Sequence, residues 1–249
     1  MIAQDFGVPL MSPNREFLCG CEFEIEDIKT IPPVLHNYFN IVDDHSLRNN
    51  GREFITPPSS YDDTVGLFKQ LHGNLKVGVE PFSERTSIHV HVNVSNLSQK
   101  ETKQLILTYA LLEPLFFAFV GNSRQENIYC VPLNYTYLPT RYQKTVAQLV
   151  NEWHKYTAFN IKPIKQIGTV EFRHLYGTDK EEVFNVWLAS LKTLYDFIAN
   201  NPTFNVMKFL AKHSPKELAQ QVVPLLMPLY KEGMLDDTVL DVLLSDGGI

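Results

Sequence analysis

An α+β fold is predicted for this 249-residue chain on three observations. Segments with the two-residue alternation of a strand recur near 17–26, 52–56, 76–80, 86–94 and 169–175. Helical stripes with recognisable caps lie between and beyond them. The two kinds do not alternate with the regularity of a doubly wound parallel sheet.

The elements follow in order. Phe17 to Glu26 reads as the first strand, and Arg52 to Thr56 as a second, stopped by Pro57-Pro58. Tyr61 to Leu75 is predicted helical, with Asp62 or Asp63 near its start and Val65, Phe68, Leu71 and Leu75 on one face. Lys76 to Glu80 and Thr86 to Val94 return to strand. Ser98 followed by Glu101 is a capping box opening a long apolar helix that ends at Gly121, with Pro114 an expected kink. Arg141 to Trp153 carries a weaker helical stripe. Thr169 to Leu175 is a strand, and Thr178 or Asp179 is the expected cap of a helix whose core stripe includes Val183, Trp187, Leu191, Leu194 and Ile198. Asn201-Pro202 stops it. Ser214 to Glu217 is another capping box, with proline at the first helical position, and a last short helix is expected over Leu235 to Leu244. The predicted division is a catalytic domain over 1–201 and a helical extension over 202–249 that packs on it.

Composition narrows the class. The apolar share of 44% is that of a globular protein, and the net charge of −6 argues against a dedicated nucleic-acid groove. Three cysteines, Cys19, Cys21 and Cys130, make no disulfide framework and read as buried thiols. The first residues lack the basic start and apolar run of a leader, and the longest apolar stretch, Leu105 to Val120, is broken by Glu113 and Pro114. These features suggest a soluble cytoplasmic protein without a membrane partner.

Three segments carry the chemistry. Glu22 and Glu24 flank Phe23, His89 and His91 flank Val90, and Glu171 and Arg173 flank Phe172. On a strand each pair shares a face while the apolar residue between points to a core. If these strands share a sheet, its polar face gathers carboxylates, imidazoles and a guanidinium. Charges held there are either solvated or gathered around ions, because burying them unpaired is costly. Glu22, Glu24, Glu53 and Glu171 are hard oxygen donors suited to Mg²⁺ or Mn²⁺, and Arg173 and Arg85 suit phosphate oxygens. The bland alternatives are an amphipathic exposed strand face and a pair of structural histidines. A zinc or iron site on His89 and His91 is a further alternative, although the glutamate that a cupin-type site would want is absent from Val92 to Leu97.

The ordered set of motifs resembles the amidoligases of phages and bacteria, within the broader glutamine synthetase and glutamate–cysteine ligase superfamily. The resemblance is carried by Gly20-Cys21-Glu22-Phe23-Glu24, Asp44-His45-Ser46-Leu47, Gly51 to Pro57 and Ser87 to Val92. It continues through Ser123-Arg124 with Asn127 and Tyr129, Tyr156 to Asn160, Gly168 to His174, Gly177-Thr178 and Trp187. It spans 17–198. Two departures are His45 within the Asp-x-Ser-Leu stretch and Ser87-Ile88 before the His-x-His pair.

The resemblance implies a curved, mostly antiparallel sheet with helices on one face. It implies an ATP- and Mg²⁺-dependent carboxylate–amine ligase that works through an acyl phosphate. The implied metal ligands are Glu22, His89 and Glu171 nearer the nucleotide and Glu24 with Glu53 nearer the substrate. Arg173, Glu53 and Arg85 are the implied catalytic residues, His91, Arg124 and Arg173 the nucleotide-binding ones, and Asp44 a weaker candidate that serves a loop cap equally well. The substrates implied are a small or peptide carboxylate and an amine, with a cell-wall, peptide or nucleic-acid component as possible acceptors; oligomeric state stays open. Rival readings are a binding protein that has lost catalysis on the same fold and a zinc hydrolase built on the His-x-His pair.

Overall fold

A computed structural model describes residues 1–133 and 144–235. A short helix α1 (Ile2–Phe6) precedes strands β1 (Cys19–Ile25) and β2 (Ile28–Thr30). A 3₁₀ turn at Pro33–Asn37 leads to β3 (Asn40–Asp43) and β4 (Arg52–Ile55). Then come α2 (Tyr61–Asn74), β5 (Lys76–Val77), β6 (Ser87–Asn93) and α3 (Gln99–Val120). After a 3₁₀ turn at Asn122–Arg124 follow α4 (Val146–Glu152), β7 (Phe159–Asn160), α5 (Ile164–Ile167) and β8 (Thr169–Tyr176). The C-terminal part holds α6 (Glu181–Asn200), α7 (Val206–Leu210), α8 (Pro215–Val222) and a 3₁₀ segment Pro224–Leu229.

Six strands form one sheet in the order β3-β4-β1-β6-β8-β7, every ladder antiparallel; β2 and β5 make a separate pair. The fold is therefore α+β with an open, antiparallel sheet, as the lack of strand–helix–strand repetition predicts. Alternation along the central strands divides the sheet into an apolar and a polar face. Cys21, Phe23, Ile88, Val90, Val92, Val170 and Phe172 are buried on the apolar side. Helices α2, α3 and α6 cover it. There Phe68 stacks on Phe184 at 4.4 Å between ring centroids, and both flank Phe23. Each such ring, fully buried, contributes about 1.5–3 kcal/mol by removal from water.

The caps explain the helix starts. Ser98 and Glu101 form the expected capping box of α3, and Ser214 and Glu217 that of α8. Ser60 caps α2 by accepting from the Asp63 N–H, while Asp62 and Asp63 occupy its first turn. α6 begins one or two residues later than expected: Lys180, not Thr178 or Asp179, is its N-cap, and the Thr178 hydroxyl instead accepts from the Lys180 N–H. α3 runs unbroken through Pro114. By length and composition α3 is apolar enough to cross a membrane, yet most of its length is buried in this fold as the central core helix. α7 docks onto α3, where the Val206 N–H donates to Gln104. The predicted helix over 141–153 is seen from Val146 to Glu152, its first residues lying outside the described part; the predicted last helix also lies outside it, apart from Leu235.

Candidate active site

The polar face of the sheet is assembled by register. Glu22 on β1 stands opposite His89 on β6 and Ile55 on β4, Glu24 stands opposite Glu53, and His91 stands opposite Glu171 on β8. All three predicted pairs thus meet on one sheet. His89 Nδ1 lies 3.1 Å from Glu22 Oε2 and 3.4 Å from Glu171 Oε1, and His91 Nε2 lies 3.1 Å from Glu22 Oε1. Arg173 reaches across its own strand to bond Glu171 Oε1.

Burial raises the Glu22 carboxyl, but its contacts with His89 and His91 outweigh that and hold it well below the ordinary carboxylate range. Burial lowers His91, but the Glu22 carboxylate beside it turns the balance upward. Although close to Glu22, the buried His91 Nε2 lacks an aligned hydrogen-bond partner among the described residues.

The surrounding residues orient this set. Ser87 donates its hydroxyl to Glu24 Oε2 at 2.6 Å, and the Ser87 N–H bonds the same oxygen at 2.8 Å. With its proton committed, the Ser87 oxygen accepts from His89 Nε2 at 2.9 Å, which turns His89 Nδ1 toward Glu22 and Glu171. Asn160 donates to Glu171 Oε2 at 2.7 Å, and Thr169 lies 3.2 Å from His91 Nδ1. None of Ser87, Asn160 or Thr169 is chargeable, so their roles carry little signal in a search for ionisable pairs.

A second carboxylate group lies beside the first. Glu24, Asp44 and Glu53 each offer an oxygen within 4.8 Å of the others, just as a ring nitrogen of His91 and an oxygen each from Glu22 and Glu171 lie within 4.8 Å of one another in the first group. Asp44 lies in this second group, and its Oδ1 also accepts the Ser46 N–H at 2.8 Å and caps the loop, the role expected of it as an alternative. Glu53 is pushed up to about 7 by burial and then by the charges of Glu22 and Glu24. Five carboxylates and one imidazole across two groups form a hard donor set that fits Mg²⁺ or Mn²⁺ better than a thiophilic metal. In the first group the imidazole within this geometry is His91; His89 is the expected ligand, and it adjoins the same carboxylates from the strand position two residues earlier.

The two other candidate arginines stand apart from these groups. Arg85 is exposed and donates to the Ser46 carbonyl at 3.0 Å, over the loop that carries Asp44. Arg124 is buried and donates Nε to the His174 carbonyl and Nη2 to the Arg173 carbonyl, each at 2.8 Å. Those carbonyls belong to a β-bulge. Val90 pairs with Phe172 and Ile88 with Leu175, so Arg173 and His174 together oppose His89. The bulge sends Arg173 to the polar face and His174 into the core. There Tyr109 donates to Glu113 at 2.9 Å, so its oxygen accepts from His174 Nε2 at 2.6 Å.

The fold and face together define a class: an antiparallel-sheet protein with a carboxylate- and imidazole-rich polar face and an adjoining arginine. A family model described as "Putative amidoligase enzyme" matches residues 36–189, more than half of the chain, and the chain belongs to that family. The match includes Glu53, His89, His91, Glu171 and Arg173 and begins after Glu22 and Glu24. A comparison with curated proteins finds no match.

Proposed function

We propose that the protein is an ATP- and Mg²⁺-dependent carboxylate–amine ligase. The observation that carries this reading is the pair of adjacent donor groups, Glu22–His91–Glu171 and Glu24–Asp44–Glu53, on one sheet face with Arg173 bonded into the first. Membership of the amidoligase family supports ligase chemistry; the glutamine synthetase-like curvature, the nucleotide and the acyl phosphate belong to this proposal.

In the proposed reaction a carboxylate oxygen of one substrate attacks the γ-phosphorus of ATP, the bond to the β–γ bridging oxygen breaks, and ADP leaves. The amine nitrogen then attacks the acyl carbon, the C–N bond forms and phosphate departs. Glu22, His91 and Glu171, with His89 beside them, would hold a divalent cation on the nucleotide side, and Glu24 and Asp44 would hold one on the substrate side. Such a cation supplies charge neutralisation on the phosphate oxygens. Arg173 neutralises the transferring phosphoryl group, and its bond to Glu171 keeps its fork in place. Glu53 accepts the proton that the attacking amine gives up. Arg85, at the rim, attracts the substrate carboxylate.

The testing experiment incubates purified protein with ATP, Mg²⁺, pooled amino acids and polyamines, following phosphate release and amide products by mass spectrometry. Amine-dependent phosphate release with a condensation product is expected. Absence of nucleotide binding by calorimetry refutes the reading.

A further inference from the structure

Beyond the Glu22–His91–Glu171 group, at the end of the sheet away from Glu24 and Glu53, the polar face runs into a chamber of about 270 Å³. Glu22 and His91 form its border with the cation site, and Met11, Leu18, Ile55, Pro58 and Ile167 give it apolar walls. The volume lies just below the roughly 300–1,000 Å³ usual for a whole small-molecule ligand, so it suits one ring system whose remainder lies elsewhere.

Its two threonine hydroxyls each hold a bond already. Thr56 accepts from the Cys21 N–H at 2.8 Å, and Thr169 is paired with His91. Among the described residues, no charged side chain lines the chamber away from its border at Glu22 and His91. Gly20 lies on the same face, opposite His91. A Cβ there would stand 3.5 Å from the Thr56 carbonyl, so small side chains are sterically tolerated while larger ones project into the chamber.

We infer that this chamber takes the base of a nucleoside triphosphate and grips it by shape and apolar contact, without reading its hydrogen-bonding edge, so that ATP and GTP serve alike. The inference rests on the ligase reading above, which places the phosphates at Glu22, His91 and Glu171. An apolar slot cannot strongly distinguish rings of one outline that differ in exocyclic groups, whereas a site that bonds such groups rejects the wrong ring by orders of magnitude.

The test is calorimetry with Mg²⁺ on the full chain, using ATP, GTP and inorganic tripolyphosphate, for the natural protein and for Gly20→Val and Ile167→Asp. Ile167 is 46% exposed, so the second variant keeps the test open if the first unfolds. ATP and GTP are expected to bind within about threefold of each other and tripolyphosphate at least about tenfold more weakly, the loss of ~1.4 kcal/mol of base contact. Both variants should weaken ATP by about tenfold and leave tripolyphosphate unchanged. A preference above tenfold between ATP and GTP overturns the inference, as does equal ATP affinity in natural protein and variants; either result leaves the ligase reading standing. Failure of the natural protein to bind any of the three ligands removes both.

Discussion

The guanidinium of Arg124 bonds the backbone carbonyl of Arg173, and through its second donor that of His174. One buried arginine thereby clamps both residues of the bulge from which the other arginine bonds Glu171. Arg124→Ala should destabilise the protein by about 3 kcal/mol, because it empties a buried volume and strands two carbonyls. Arg124→Lys should lose about half of that, since a lysine cannot fork to both oxygens. Urea unfolding measures each, and equal stability in all three proteins would remove the clamp from the account.

Glu171→Ala and Arg173→Ala should each abolish amine-dependent turnover while the variants stay folded. Glu171 anchors the first donor group, and Arg173 faces the transferring phosphoryl group in the proposed reaction. Circular dichroism and turnover, measured together, check both halves; activity at the natural level in either variant refutes its assignment.

Mn²⁺ should raise the unfolding free energy of the natural protein by about 2.7 kcal/mol at a hundredfold excess over its dissociation constant, the general consequence of binding only the folded state. The increment should fall sharply in Glu22→Gln and in His91→Asn, which each remove one member of the first group. A thermal shift that persists undiminished in both variants would place the cation elsewhere.

Glu53 makes the cation-free protein sensitive to alkali. Its folded value of about 7 lies above the ordinary 4.5, so its contribution to stability is fully present below pH 4.5 and is lost as pH rises to about 7. Glu53→Gln should therefore stabilise the cation-free protein at pH 8, by about 1 kcal/mol after allowance for solvent screening of this half-buried group, and change little at pH 4. It should also lower turnover. Denaturation in chelator at the two pH values reads the first effect.

His72 should act in the opposite sense. Its ring is packed against Phe68 and Phe82, and burial lowers it to about 4, with only partial compensation from Asp179. Folding then keeps it neutral, so its contribution is present above pH 6.5 and is lost as pH falls toward 4. His72→Leu should flatten the stability profile across that window by about 2 kcal/mol. An unchanged slope would show that another group governs the acid limb.

Much of this was legible in the alternation of side chains. Phe23, Val90 and Phe172 each separate two ionisable residues, and that pattern places Glu22 with Glu24, His89 with His91 and Glu171 with Arg173 on one face of each strand; that the three strands share one sheet is seen in the ladders. The boxes at Ser98 and Ser214 are equally local, because their reciprocal bonds involve residues three apart. What escaped depends on distant partners. β2, β3 and β7 are four residues or fewer, too short for a period to emerge, and are held by neighbouring strands. The bulge at Arg173 and His174 exists only relative to His89. The orientation of His89 depends on a hydroxyl, Ser87, whose partner Glu24 lies 63 residues away.

Because the sheet presents its core on one side and its ionisable residues on the other, both share a single reading frame along β1 and β6. A one-residue shift of β6 against β1 would swing both imidazoles to the apolar face and turn the valines toward the carboxylates, so packing and chemistry would fail together. The loops have no such constraint. Diversification within this family should therefore accumulate as insertions between strands, with the lengths of β1 and β6 kept.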